Sequence, residues 1–165
     1  MPEPRLVGAH AVTPHRRSPA RPGRLLPVAV LVALSAAGCS GAVPMAAAPT
    51  ASAVGCAEIV ARLPSDVIGL VQRETLAQGT GAWGDPAQVL LRCGVSDPAP
   101  SDQCVTEGDV DWTIDDSDPA LVTASTYGRE PAVEVVLDGS LVGGREILAA
   151  LAPSVASVPA TERCS

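Results

Sequence analysis

A thirteen-residue apolar run near the N-terminus, Leu25–Ala37, divides the chain into a leader and a part that can fold. Arginines precede the run, and the small residues of Ala36–Cys39 end it. This order is typical of a secretory signal peptide, and the run is too short to span a bilayer stably. A cysteine at the cleavage position resembles a bacterial lipoprotein signal, in which the thiol is lipidated. We therefore predict a signal peptide over residues 1–38 and lipidation of Cys39.

The residues that follow Cys39 are uncharged as far as Cys56 and are rich in Ala, Pro, Ser and Thr. Such a composition is typical of a flexible linker. We predict a tether over residues 39–55 and a single extracytoplasmic domain over residues 56–165, anchored on the outer face of the cytoplasmic membrane. Plain cleavage near Ala46–Ala48 is the alternative, and it would release a secreted protein.

The predicted mature chain is strongly acidic. It has six arginines, no lysine and seventeen carboxylates, which gives a side-chain charge of −11. Such a surface repels nucleic acid and anionic headgroups, because both bind clustered cations. The charge therefore predicts no nucleic-acid partner, and attachment to the membrane depends on the lipid at Cys39.

Histidine is absent from the predicted mature chain, because His10 and His15 both lie in the leader. Ser-His-Asp or Cys-His catalysis needs a base whose pKa lies near neutrality. Any enzyme built from this chain would use carboxylates, a disulfide or a metal held by acids. We predict a non-catalytic binding or accessory module without cofactor or metal. A carboxylate-based hydrolase acting on cell-wall glycan is the alternative.

Four cysteines remain after Cys39, and an even number outside the cytoplasm indicates two disulfides. They are Cys56, Cys93, Cys104 and Cys164. Three pairings are possible. We favour Cys93 with Cys104 as a local bridge and Cys56 with Cys164 as a link between the ends of the domain. The absence of a C-x-x-C pair disfavours zinc.

Apolar periodicity predicts a helix at each end of the domain and strands between the helices. The helices are marked by Ile59, Val60 and Leu63 and by Ile147, Leu148 and Leu151, the second being interrupted at Pro153. Strand patterns cover residues 89–93, 110–114, 121–127 and 132–137, and a turn at residues 138–139 predicts a further strand over 140–142. Alternation places Trp112 inward and Asp111 outward. We predict an α+β single domain, a mostly antiparallel sheet flanked by an N-terminal and a C-terminal helix.

Residues 79–84 match the G-x-G-x-x-G pattern of dinucleotide-binding proteins. That motif requires a helix whose N-terminus meets the pyrophosphate. Here Asp85-Pro86 and a strand pattern follow instead. We interpret residues 79–84 as a glycine-rich loop without a nucleotide.

Five aspartates lie between residues 109 and 118. Carboxylate oxygens are good Ca²⁺ ligands, but the glycine and terminal glutamate of a calcium-binding loop are missing. We interpret these aspartates as solvated turn residues.

Arginine and aromatic residues form the most suggestive candidate binding set. The predicted contact residues for a partner protein or a small anionic ligand are Trp83, Arg92, Tyr127 and Arg129. A planar guanidinium binds a carboxylate or phosphate, and an aromatic ring stacks on a sugar. In the alternative interpretation Trp112 fills the core, and the arginines pair with acids such as Asp111 or Glu134.

Several of these segments together resemble domain-of-unknown-function family 3515. The resemblance is carried by residues 82–86, 91–95, 110–112 and 126–135, and it extends from about Cys56 to Leu151. It implies an exported or membrane-attached protein of a high-GC Gram-positive bacterium. It implies no activity, so no catalytic residue is transferred from it.

Overall fold

The computed structural model describes residues 41–99 and 102–164, so the predicted signal peptide and Cys39 lie outside the described residues. The elements in these ranges are α1 (Val54–Ala61), β1 (Asp66–Val67), β2 (Leu70–Arg73), β3 (Thr80–Trp83), β4 (Val89–Val95), β5 (Cys104–Glu107), β6 (Val110–Asp118), β7 (Leu121–Thr126), β8 (Ala132–Asp138) and α2 (Gly144–Val155). The predicted α+β fold, a mostly antiparallel sheet with a helix at each end of the domain, is confirmed.

The eight strands form one sheet in the order β1-β2-β3-β4-β8-β7-β6-β5, and every pair is antiparallel. Two four-stranded meanders, β1–β4 and β5–β8, therefore meet where β4 pairs with β8. At this junction Leu91 lies opposite Val135, and Arg92 lies opposite Glu134. Because successive side chains point to opposite faces, the sheet has an apolar inner face and a mixed outer face.

The core lies between the inner face of the sheet and the two helices. Trp83 of β3 and Trp112 of β6 are fully buried there with Ile147 and Leu151 of α2. The chain has no Phe, so these tryptophans are its largest buried side chains. Burial of one large apolar side chain stabilises the fold by about 1.5–3 kcal/mol. The inward placement of Trp112 is confirmed.

The glycine-rich segment at residues 79–84 contains strand β3 rather than a loop. Its small side chains allow neighbouring groups to approach closely. A Cβ atom at Gly81 would lie 2.7 Å from Leu63 Cδ1. Strand β4 follows the motif, whereas a dinucleotide-binding motif requires a helix at this point.

Two predictions near the C-terminus are wrong. Residues 140–142 form no strand, because Gly139 donates to the Ala120 carbonyl (2.8 Å) and the chain then turns into α2. Helix α2 also continues through Pro153. Pro153 occupies the last turn of α2, where the buried side chains of Leu151 and Val155 still hold the helix on the core.

Residues 41–51, part of the predicted tether, lie against the domain, and we call them the N-terminal strap. Val43 donates its N–H to the Glu74 carbonyl (2.8 Å). Thr50 donates to the Gly94 carbonyl through its N–H (3.0 Å) and its hydroxyl (2.9 Å). The buried residues of the strap are Ala48 and Ala51. The folded unit therefore begins before Cys56, and the strap is packed where a flexible tether was expected.

Two disulfides are present, but the favoured pairing is wrong. Cys56 of α1 is bonded to Cys93 of β4, with Cα atoms 5.5 Å apart. Cys104 at the start of β5 is bonded to Cys164, with Cα atoms 6.3 Å apart. Three strands separate β4 from β5 in the sheet. We expected a local bridge between Cys93 and Cys104 because they are close in sequence. In the sheet, however, the two strands that carry them are far apart.

Candidate functional site

Trp83, a predicted contact residue, is completely buried. Its indole N–H donates to the Pro64 carbonyl at 2.9 Å, which joins the segment after α1 to β3. A side chain without exposed surface cannot contact a ligand in this fold. The prediction for Trp83 is wrong, because a chain without Phe needs its few large side chains in the core.

Arg92 forms an ion pair on the outer face of the sheet. Its Nη2 and Nε atoms lie 2.6 Å and 3.0 Å from Glu134 Oε1, directly across the β4–β8 junction. The two side chains are 38% and 20% exposed. The guanidinium is therefore engaged by an acid of its own chain, as the alternative interpretation expected.

Arg129 is buried, with only 4% of its surface exposed. Its guanidinium donates to the Val158 carbonyl and to the Asp109 carbonyl, the latter at 2.6 Å. The Nε atom has no partner among the described residues. Burial and the neighbouring charge of Arg163 lower the pKa of Arg129, and this outweighs the opposite effect of Asp111 and Asp109. Arg129 holds chain segments together, although it also lines a surface groove beside Asp97 and Glu130, so its role as a contact residue stays a prediction.

Tyr127 donates its hydroxyl to Glu162 Oε2 at 2.9 Å. This hydrogen bond, with desolvation and the negative charges of Glu162 and Asp97, raises the pKa of Tyr127. The ring is half-buried rather than exposed. Its hydroxyl is thus occupied by the C-terminal part of the same chain.

That C-terminal part, residues 156–164, crosses the ends of β6 and β7, and we call it the C-terminal clasp. Thr161 donates its N–H to the Gly128 carbonyl at 2.7 Å. Gly128 has a φ of +66°, and a Cβ atom there would lie 2.4 Å from the Glu162 carbonyl oxygen. Only glycine fits this position without displacing the clasp.

Asp111 lies beneath the clasp and was missed as a buried group, because alternation predicted a solvated side chain. The carboxylate accepts hydrogen bonds from the Thr106 hydroxyl (2.7 Å) and the Cys164 N–H (3.1 Å). Arg163 lies 3.8 Å away. Burial raises the pKa of Asp111, but these two hydrogen bonds and the charges of Arg163 and Arg129 outweigh burial and lower it. Asp111 does point away from the core, yet the clasp covers it and only 4% remains exposed.

The four predicted contact residues therefore do not form one surface. Trp83 lies in the core, Arg92 on the outer face, and Tyr127 and Arg129 under the C-terminal clasp. Each is engaged by a group of its own chain. Their common role is to hold strands and chain ends together.

An exposed apolar surface lies elsewhere, where the β1–β2 hairpin meets the loop before α2. Val142 is 90% exposed and Ile68 is 47% exposed. A Cβ atom at Gly143, the residue after Val142, would lie 3.8 Å from Ile68 Cδ1, so the two loops are in contact. We call Ile68 and Val142 the apolar tip.

The backbone at Ile68 is strained. The hairpin between β1 and β2 has only two loop residues, and both have positive φ values, 47° at Ile68 and 87° at Gly69. A β-branched residue is rarely found in this conformation, and the strain costs about 1–3 kcal/mol. Asparagine and glycine are usual in such turns, so an isoleucine here stands out. The turn was not predicted from the sequence, because Ile68 in the first loop position is not a typical signal, although Gly69 in the second position is.

Acidic side chains surround the apolar tip. Asp66 is exposed, and its Oδ1 accepts the Gly69 N–H at 2.9 Å. Glu146 is also exposed, with Oε2 3.2 Å from the Cβ position at Gly143. The tip thus combines an apolar centre with a negatively charged rim.

Carboxylates are the groups that a hydrolase built from this chain would use. A groove of about 280 Å³ contains Asp97 and Glu130. A glycoside hydrolase needs a general acid whose pKa is raised. The described carboxylates with displaced pKa values shift downward; in Asp115 and Asp138 the cause is hydrogen bonding from nearby serines. Within residues 41–99 and 102–164, no cluster of three His, Cys, Asp or Glu side chains is arranged to hold a metal ion.

The comparison with protein families identifies the chain. The family described as Protein of unknown function (DUF3515) matches residues 24–163, and the chain belongs to this family. No curated protein and no solved structure matched the chain. The two disulfides indicate an oxidising environment outside the cytoplasm. In the part of the chain that the structure describes, no helix is long and apolar enough to cross a membrane.

Proposed function

We propose that this protein is lipid-anchored through Cys39 on the outer face of the cytoplasmic membrane and acts as a non-catalytic binding module for an envelope protein. The observation that supports this proposal is the apolar tip. Val142 is the most exposed large apolar side chain among the described residues, and it stands beside a strained, exposed Ile68. Backbone strain that persists in a fold is often associated with a functional site.

A partner protein fits this surface better than a small anionic ligand. Most arginines of the described chain already donate to a carboxylate or carbonyl; these are Arg73, Arg92, Arg129, Arg145 and Arg163. An anion at any of these five arginines would have to displace such a partner, and the sixth, Arg62, is exposed on its own after α1, away from the predicted contact residues. Burial of two aliphatic side chains against a partner would instead contribute about 1.5–3 kcal/mol each.

The rim of the tip defines the chemistry of the partner. Asp66 and Glu146 are exposed carboxylates beside the tip. Complementary charge around an apolar contact accelerates association and selects the partner. The partner therefore presents an apolar patch bordered by lysine or arginine.

Site-specific photocrosslinking in intact cells tests the proposal. A photoreactive residue at Val142 is expected to give a discrete adduct with one envelope protein, and Ile68→Asp should abolish the adduct. The matched control is the same residue at Leu121, which is 49% exposed on β7. Equal adducts from positions 142 and 121, or no adduct from 142, would overturn the assignment of the tip. Release of a Cys39→Ser variant from the membrane fraction tests the anchor separately.

A further inference from the structure

The N-terminal strap is fixed on the outer face of the sheet by Arg73. Arg73 pairs with Ala82 in the sheet register, which places its side chain on the same outer face as Leu90 and Arg92. Its Nη2 atom donates to the Gly41 carbonyl at 3.2 Å. Its Nη1 atom lies 2.8 Å from Asp85 Oδ1. The Arg73 side chain is only 19% exposed, and these two bonds fix the direction of its guanidinium.

This contact lies close to the proposed anchor. Gly41 is two residues after Cys39. Two residues span at most about 7 Å, whatever their conformation. A lipid on Cys39 would therefore enter the bilayer directly beside β2, leaving the domain no long tether.

Two exposed apolar side chains flank this point. Val71, on the same face of β2 as Arg73, is 65% exposed. Leu76 is 72% exposed, and its N–H donates to the Val43 carbonyl of the N-terminal strap at 3.2 Å. Both side chains lie near the place where the chain would leave the membrane.

Two ion pairs lie on this face, and exposed carboxylates stand near them at Asp66, opposite Val71 in the sheet, and at Glu74. Arg73 neutralises Asp85 and Arg92 neutralises Glu134. An anionic headgroup surface repels a net negative face, but it repels a face of ion pairs much less. These arginines offset part of the negative charge near β2, and the exposed apolar side chains of Val71 and Leu76 would supply the contact with the bilayer.

We infer that the outer face of the sheet around β2 lies on the membrane surface, with Val71 and Leu76 in the lipid interface. This inference rests on the proposed lipidation of Cys39. The helices α1 and α2, which cover the inner face, would then point away from the membrane.

An environment-sensitive fluorophore tests this orientation in the full chain, processed in a high-GC Gram-positive host and reconstituted in phosphatidylcholine vesicles. The dye is attached to Leu76→Cys, to Val71→Cys, and to the matched control Val54→Cys, a 77% exposed valine on α1. We expect a blue shift and quenching by spin-labelled lipid at positions 76 and 71, and neither at position 54. Thermal unfolding of each labelled protein confirms that it is folded.

Co-sedimentation with the vesicles separates the two proposals. Bound protein without a response at positions 71 and 76, or with an equal response at position 54, overturns the orientation and leaves the anchor intact. Protein that stays in solution and retains an unmodified Cys39 overturns both the orientation and the lipid-anchored function.

Discussion

The C-terminal clasp and the apolar tip differ in how their side chains are engaged. Under the clasp, the buried charges of Asp111 and Arg129 bond to backbone and side-chain groups of the same chain. At the tip, Ile68 and Val142 stand in solvent on a strained hairpin and a neighbouring loop. Polar groups in this domain therefore hold the fold, while the surface that we propose for binding is apolar.

The two regions should respond differently to substitution. Loss of one group under the clasp leaves a buried partner without its bond, which destabilises the protein. Loss of a side chain at the tip leaves no buried polar group without its bond.

Removal of the Cys104–Cys164 disulfide should have the largest effect on stability. The bridge closes a sequence separation of 60 residues, for which the chain-entropy model gives a loss of about 4 kcal/mol. Urea unfolding of a Cys104→Ala/Cys164→Ala variant measures it. A free energy of unfolding equal to that of the parent chain would show that the clasp is held without the bridge.

Arg129→Met should cost about 3 kcal/mol, because the Val158 and Asp109 carbonyls lose their donors under the clasp. Methionine retains much of the apolar stem, so most of the loss reflects the missing guanidinium. The measurement is again urea unfolding at neutral pH. Arg62→Met, at an exposed position after α1, is the control and should change the free energy by less than about 0.5 kcal/mol.

Acid should weaken the clasp through Asp111, whose pKa is lowered in the folded protein. The contribution of Asp111 to stability is present above its unfolded pKa of about 3.9 and is lost as the pH falls through the lower, folded value. Unfolding free energy measured against pH should therefore fall less steeply in Asp111→Asn. Thr106→Val, which removes a hydrogen-bond donor to Asp111, should flatten the curve in part. Parallel curves for all three proteins would contradict this assignment.

Ile68→Asn should give the smallest change and the only gain. Asparagine tolerates a positive φ, so relief of strain should stabilise the domain by about 1 kcal/mol. Thermal unfolding measures the gain. Leu121→Asn, at an exposed strand position with ordinary backbone geometry, should give no increase. A decrease with Ile68→Asn would mean that the isoleucine supports the fold rather than binding.

Much of the fold follows from apolar periodicity. Strands β6, β7 and β8 could be placed from their strand patterns, β4 from a short run that is apolar on both faces, and helix α2 from its apolar stripe. Strand β3 was missed, since Gly81 and Ala82 give no alternating pattern and are required by close packing instead. The N-terminal strap was missed because its contacts are mainly backbone hydrogen bonds, which composition does not report.

The site was harder to predict than the fold. The arginines and aromatic residues were recognised as chemically notable, but their partners come from segments far away in the sequence, as with Arg129 and Val158. Asp111 was assigned to solvent because strand alternation does not show the chain end that covers it. The apolar tip depends on two loops that meet only in the fold.

The most direct test of the central claim combines the photoreactive residue at position 142 with the substitution Ile68→Asn. The measured quantity is the yield of the crosslinked adduct, normalised to the amount of folded protein in the membrane fraction. We expect the yield to fall sharply while the domain becomes more stable, because the substitution relieves strain and removes half of the apolar tip. An undiminished yield would show that Ile68 does not contribute to binding and would contradict the division between a fold-holding clasp and a binding tip.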